Sequence, residues 1–343
     1  MEEFEKNQFS IETRSLIKKF CKDKTHMKFT VGTLVNGETN FIMFDADGEI
    51  PFESYGYEIG SMTKSFVGLM LAKNIHEGTM SLDDPISKYV DGLDVSKYYP
   101  TLRRLVTHTA GYGVIPLTSR DYVKFIFNDI FKGSLNGGKL PLHMDLKKMT
   151  SLLQNTPMED KEYPWKYSNF GIGVLGYAIG VASGKNYWNT MNDFLHNELG
   201  MKRTFTGITP GKILQGYDRK NQNIGNWEWS NDNYFAPAGD LRSTATDLLA
   251  YAKMNMHEEK PYMAMAHKKY ADLSKEWDQG LGWIQDANNH NIIYGMGGTG
   301  AFYSFLGIDK QVKVSCVVLS NYLIDLKHTV GRAILKDLQN MAV

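Results

Sequence analysis

The chain has 343 residues, 42% of them apolar, enough for a large core in one big domain or two interleaved ones. Lys+Arg and Asp+Glu each number 38, so no charge excess is present to attract nucleic acid or an anionic membrane surface, and neither partner is expected. Two cysteines exclude a disulfide framework, and the nine histidines show no metal-ligand spacing, so neither a metal nor any other cofactor is expected.

The first residues, "MEEFEKNQFS", are acidic and polar, with neither the basic start nor the apolar run of a signal peptide. The longest weakly polar stretch, "FGIGVLGYAIGVASG", is too short and too glycine-rich to span a bilayer, so a soluble cytoplasmic protein is expected. In residues 9–22, Phe9, Ile11, Leu16, Ile17 and Phe20 recur with the spacing of an amphipathic helix. "MKFTVGTLVNG" and "ETNFIMFDADG" follow, β-branched or aromatic runs that each end in a glycine turn and predict a hairpin. Gly60 breaks the next run, and "SMTKSFVGLMLAKNI" predicts a helix beginning at or near Ser61.

From about Met80 to Glu258 the pattern is helices and loops without a clear strand. "GLGWIQ", "NIIYGMGG", "FYSFLGID" and "VKVSCVVLSN" then read as four short strands, with Cys316 as a core residue of the last. A helix over "IDLKHTVGRAILKDLQNM" closes the chain. The expected fold class is α/β (α+β): one antiparallel sheet built from both termini and flanked by helices. Residues 1–343 are read as a single domain, in which a mostly helical subdomain, about 80–258, is inserted between sheet-forming segments 1–79 and 259–343.

Ser61 and Lys64 stand three apart at the predicted helix start. Such a serine is commonly an N-cap, whose oxygen accepts from a first-turn N–H. The alternative is chemical. Positions i and i+3 share a helix face, so the lysine amine can reach the hydroxyl. A serine nucleophile needs a base, and a lysine serves once burial lowers its pKa. The apolar neighbours Met62, Phe66 and Val67 favour such burial. A second Ser-x-x-Lys, Ser15 to Lys18, lies within the first amphipathic helix, where the lysines read as a solvated face.

About a hundred residues later, "WKYSNFGIGVLGYAIG" places Tyr167, Ser168 and Asn169 before another helix. A second Tyr-x-Asn, Tyr187 to Asn189, reads as core packing. The pairing of Ser-x-x-Lys with Tyr-Ser-Asn resembles the penicillin-recognising serine hydrolases. It is most similar to the branch around class C β-lactamases, which also holds D-amino-acid peptidases, carboxylesterases and acyltransferases. "GTMSLDDPISKYV", "LRRLVTHTAGYG", "APAGDLRSTATDLLAYAKMN" and "GGTGAFYSFLGID" follow the family's order, so the resemblance runs from about residue 27 to 340.

The resemblance implies that Ser61 forms an acyl-enzyme while Lys64 and Tyr167 exchange protons as a coupled pair. A nearby ammonium would lower the Tyr167 pKa. Asn169 would hold a substrate amide or orient Lys64. The oxyanion hole would use the N–H groups of Ser61 and Gly298. The third motif falls on Gly295, Met296 and Gly297, where relatives usually carry Lys or His at the first position. Without that cation a substrate carboxylate lacks its partner, so the chain is not expected to be an efficient β-lactamase. The other reading of these glycines is close strand packing. Lys161 and Glu162 stand where relatives often have Pro-Gly, so the turn into Tyr167 is expected to be built differently.

His108 reads as a hydrogen-bonded structural residue. Tyr112 and the loop aromatics Trp227, Trp229, Tyr234 and Phe235 either cover a core edge or wall an acyl pocket. The expected function is a serine hydrolase acting on a small-molecule or peptide substrate, namely an ester or a peptide-like amide, with D-configuration among the options. The alternatives are an acyltransferase of the same family and a non-catalytic binding protein on the same scaffold.

Overall fold

Asn36 and Gly37 both have positive φ, 52° and 85°, the backbone that a two-residue hairpin turn demands. They join β1 (Phe29–Val35) to β2 (Glu38–Phe44), the hairpin expected from the sequence. The structure is a computed structural model that describes residues 9–114, 143–156, 158–207, 213–323 and 330–342. Ahead of the hairpin lies α1 (Ile11–Cys21), where Ser10 Oγ accepts the Thr13 N–H at 3.2 Å. Ile17 is buried in this helix, but Ile11 is 77% exposed and stands off the apolar face assigned to it.

After β2 come β3 (Glu49–Ile50), β4 (Tyr57–Glu58) and a 3₁₀ turn, Gly60–Met62, that leads into α2 (Thr63–His76). The helical middle contributes α3 (Leu102–Val106), α4 (Leu146–Asn155), α5 (Asn169–Ala182) and α6 (Tyr187–Asp193). A two-residue strand, β5 (Arg242–Ser243), interrupts the stretch read as free of strands and pairs with β4. Two residues are too few to show a period of two in sequence. Next are α7 (Ala245–His257) and α8 (Met263–Ala266). Strands β6 (Ala271–Asp272), β7 (Trp277–Gln279), β8 (Ile284–Asp286), β9 (Ile292–Gly298), β10 (Tyr303–Asp309) and β11 (Val314–Ser320) complete the sheet. The last helix is α9 (Val330–Met341); residues 324–329 of the predicted helix lie outside the described residues.

The nine strands pair antiparallel in the order β3-β2-β1-β11-β10-β9-β8-β7-β6. Phe29 lies opposite Ser320, so the first long strand and the last lock together in mid-sheet, as a sheet built from both termini requires. Cys316 and Val318 face α1 and α9, while Val317 and Leu319 face α2 and α7. Burial on both faces explains why β10 and β11 read as nearly unbroken apolar runs. No helix among the described residues is long and apolar enough to cross a membrane.

β8 pairs with β9 only at Ile293 and Tyr294. The remainder of β9, Gly295 to Gly298, is paired with β10 on one side and borders the 3₁₀ turn on the other.

Candidate active site

Gly60 sits at φ 49°, and a Cβ there would lie 2.6 Å from the Gly298 carbonyl oxygen. A Cβ on Gly297 would come within 1.9 Å of the Ile59 oxygen, which also accepts the Ser304 hydroxyl at 2.7 Å. Only glycines let β9 and the turn before Ser61 approach this closely. The other flank is held likewise: a Cβ on Gly282 would meet the Lys64 oxygen at 2.0 Å. The start of α2 is therefore wedged between β9 and the 281–282 turn.

Met62 is the N-cap of α2 and has no side-chain capping bond, so Ser61 does not serve as a cap. Its hydroxyl meets two other groups instead. Tyr167 Oη lies 2.6 Å from Ser61 Oγ, and Lys64 Nζ lies 3.0 Å from it. The amine also donates to the Ala238 carbonyl at 2.6 Å and lies 4.8 Å from the centre of the Tyr167 ring. Ser61 is half-buried and Lys64 is buried.

Tyr167 is delivered by the segment before α5. Ser168 caps that helix, its Oγ accepting the Gly171 N–H at 2.9 Å. The His108 oxygen accepts the Lys166 N–H at 2.9 Å, and His108 Nδ1 accepts the Ser168 N–H at 3.2 Å. The turn at Lys161 and Glu162 is closed by Tyr163, whose N–H donates to Thr109 and whose hydroxyl accepts the Glu159 N–H at 3.0 Å.

Burial pushes the Lys64 amine well below its ordinary range. It pushes the Tyr167 phenol up to about 12, only partly offset by the bond to Ser61. The expected ammonium that would lower the phenol's pKa is thus corrected. A dry site disfavours both charges, so amine and phenol are neutral together. Burial also holds His108 at about 3, so its ring is neutral.

These groups open on a cleft of about 370 Å³. Ser61, Lys64, His108, Trp165 and Tyr167 form one side. Trp277, Tyr294, Gly295, Met296 and Gly298 also line the cleft. No cationic side chain occupies the first position of the third motif, and a Cβ on Gly295 would meet Met62 Cγ at 3.2 Å.

Gly298 lines the cleft, whereas Gly297 is buried against Ile59. Asn169 opens α5, but its side chain does not orient Lys64, whose bonds go to Ser61 and Ala238. Its Oδ1 is buried without a partner among the described residues. Tyr112 is 2% exposed and packs edge-on against Phe170, outside the cleft lining. Trp227 and Trp229 meet edge to face, with the Trp227 N–H on Glu58. Tyr234 packs on Tyr177 and Trp188. None of these three lines the cleft, so their place is the core-edge reading.

Sequence reasoning missed Trp165, Trp277, Tyr294 and Ala238. Tyr294 and Met296 had a signal: they alternate with Gly298 along one strand and so share its face. Trp277 had none, because β7 is too short to show a period.

The chain is 27% identical over 269 residues to a beta-lactamase of Pseudomonas fluorescens, a match covering 74% of this chain and 68% of that one. It is 24% identical over 283 residues to Protein flp of Staphylococcus aureus (strain MW2), covering 77% and 52%. The match thus spans about half to two thirds of these relatives' length. Among solved structures, the Beta-Lactamase/D-Alanine Carboxypeptidase from Pseudomonas syringae superposes with TM-score 0.76 at 16% identity, covering 96% of this chain and 98% of that one. At that identity the likeness speaks for the fold alone. The beta-lactamase family model matches residues 56–340, and with a sheet of this topology and a serine, lysine and tyrosine meeting at its edge, the chain belongs to that family.

Proposed function

We propose that this chain is a serine hydrolase that forms an acyl-enzyme on Ser61 and acts on an uncharged ester or peptide-like amide. One observation carries the reading: a half-buried serine hydroxyl lies within 3.0 Å of a buried lysine amine and 2.6 Å of a phenol. No carboxylate forms a salt bridge with Lys64 among the described residues, burial lowers its pKa, and the neutral amine is a competent base.

The proton count closes. As Ser61 Oγ attacks the acyl carbon, its proton passes to Lys64. The leaving group takes a proton from the Tyr167 hydroxyl, and Lys64 restores it. Water then attacks the acyl-enzyme with the same pair acting in reverse. The oxyanion would rest on the N–H groups of Ser61 and Gly298, where loss of one donor typically costs ~10²–10³ in rate.

Gly295 and Met296 support an uncharged substrate. A carboxylate placed at Gly295 would find no cation at the motif itself; Arg332 lies 4.8 Å from the centre of the Trp277 ring and is shared with Glu276 at 3.9 Å. One relative is named a beta-lactamase and one solved neighbour a beta-lactamase/D-alanine carboxypeptidase, and the same acylation step serves an ester.

The test is intact-mass spectrometry after incubation with a fluorophosphonate, alongside turnover of benzylpenicillin and of p-nitrophenyl butanoate. The expected result is one adduct, absent in Ser61→Ala, with the ester turned over faster than the penicillin. Folded protein that takes no adduct would point to a binding protein. Penicillin turnover outpacing the ester would overturn the substrate reading.

A further inference from the structure

His108 has a backbone φ of 62°, a left-handed conformation that costs a non-glycine residue free energy unless its surroundings hold it. They do so at three points. Its oxygen accepts the Lys166 N–H, its Nδ1 accepts the Ser168 N–H, and its ring packs 4.9 Å from the Tyr167 ring. This fulfils the structural role expected from sequence, yet it accounts for only one ring nitrogen.

The bond from Ser168 fixes the tautomer. A neutral imidazole has one acceptor nitrogen and one donor, and Nδ1 is the acceptor, so Nε2 carries the hydrogen. With its pKa held at about 3, the ring keeps that form throughout the neutral range. The ring is 4% exposed, and that exposure is to the cleft. Nε2 has no acceptor among the described residues.

Most other polar side chains of the cleft are engaged, whereas Trp277 Nε1–H and Tyr294 Oη also have no hydrogen-bond partner among the described residues. Trp165 Nε1 donates to Gln279 Oε1 at 3.3 Å. Gln279 Nε2 donates to the Gly280 and Trp283 oxygens, both at 3.0 Å. Ser61, Lys64 and Tyr167 bond one another and Ala238. Of the open donors, His108 Nε2–H belongs to the ring that packs 4.9 Å from Tyr167, the residue bonded to the reacting serine. Nε2 is not among the buried unpartnered atoms, so it reaches the cleft, where a bound molecule with an acceptor can take its hydrogen bond.

We propose that His108 is a substrate-binding residue whose Nε2–H donates to a neutral acceptor oxygen on the substrate, so that the cleft selects acyl compounds carrying such an oxygen near the scissile carbonyl. This rests on the acyl-enzyme reading above and deepens it, because it names a group the substrate must have.

Two variants separate binding from structure. His108→Asn retains an acceptor where Nδ1 stands and tolerates the left-handed backbone, but it has nothing at Nε2. His108→Gln places an amide donor near Nε2 and gives up the bond to Ser168. The probes are two pairs of p-nitrophenyl esters: methoxyacetate against butanoate, and 3-methoxypropanoate against pentanoate. Within each pair an ether oxygen replaces one methylene, and comparing ratios between variants cancels intrinsic reactivity.

Rates of Ser61 acylation are read by intact mass. For at least one pair, the ether-to-methylene ratio is expected to fall about fivefold in His108→Asn, the worth of one neutral hydrogen bond, and to recover in His108→Gln. His108→Gln, not His108→Asn, is expected to lose the more thermal stability. Equal loss on ether and methylene esters leaves the ratios unchanged, as a purely structural histidine would, and overturns the proposal. Failure of the wild-type chain to label with fluorophosphonate would instead remove the acyl-enzyme reading beneath it.

Discussion

Lys64 and Tyr167 share one proton economy because both are buried beside one hydroxyl. Burial acts on them in opposite directions, lowering the amine and raising the phenol to about 12. Their neutral forms therefore coincide over a broad pH window, and within it the amine is the group free to accept a proton. Below that window Lys64 is an ammonium and cannot take the Ser61 proton. Acylation by a neutral ester should therefore rise with pH through an apparent pKa belonging to the pair and level off well below 10.5, the ordinary lysine value. Stopped-flow acylation over the pH range checks this. A rate still climbing through 10.5 would show that burial does not lower the amine. Lys64→Ala should lose ~10²–10⁴ in acylation rate, the usual worth of a positioned base.

The turn that carries Ser61 depends on two glycines from distant parts of the chain. Gly60 occupies left-handed backbone, and its missing side chain leaves room for the Gly298 carbonyl. Gly60→Ala combines that backbone cost with a Cβ contact of 2.6 Å that rigid backbone on both sides does not relieve. The expected loss is about 2–3 kcal/mol by denaturant titration, from the strain term and the displaced strand together. Acylation should fall as well, because β9 moves off the nucleophile; stability within experimental error of the wild type would contradict this account. The same glycines show what was legible in sequence. Gly60 was readable as a break, and Gly297 and Gly298 as either an oxyanion strand or close packing. In the fold Gly297 packs and Gly298 lines the cleft. Which of two adjacent glycines faces the cleft depends on strand pairing, and no local pattern records it. Likewise Ser61, Lys64 and Tyr167 each announced themselves at a helix start, whereas the cleft also draws on Trp277 and Tyr294, on strands that a nine-stranded sheet happens to bring round.

That sheet joins both ends of the chain, and segment 238–241 ties the helical middle to the turn that carries Ser61. Ala238 accepts the Lys64 amine, Leu241 accepts the Ile59 N–H at 3.0 Å, and the Leu241 N–H donates to Thr63 at 3.2 Å. Between them Asp240 is 1% exposed, one oxygen bonded to Tyr187 of α6 at 3.0 Å and the other without a partner. Burial raises its carboxyl to about 8, from an ordinary value of 3.8. The joint is thus made with a protonated acid. Between those two values the native state holds a proton that the unfolded chain releases, so this residue's contribution to stability is full below 3.8 and is lost as pH rises through about 8. Asp240→Asn keeps an acceptor for Tyr187 and removes the titration. Its melting temperature should match the wild type near pH 4 and exceed it by roughly 2–4 °C at pH 8, a modest shift for a domain this large. An offset of the same size at both pH values would mean that the amide changes packing rather than protonation. The joint would then owe its strength to the Leu241 and Ala238 backbone bonds alone.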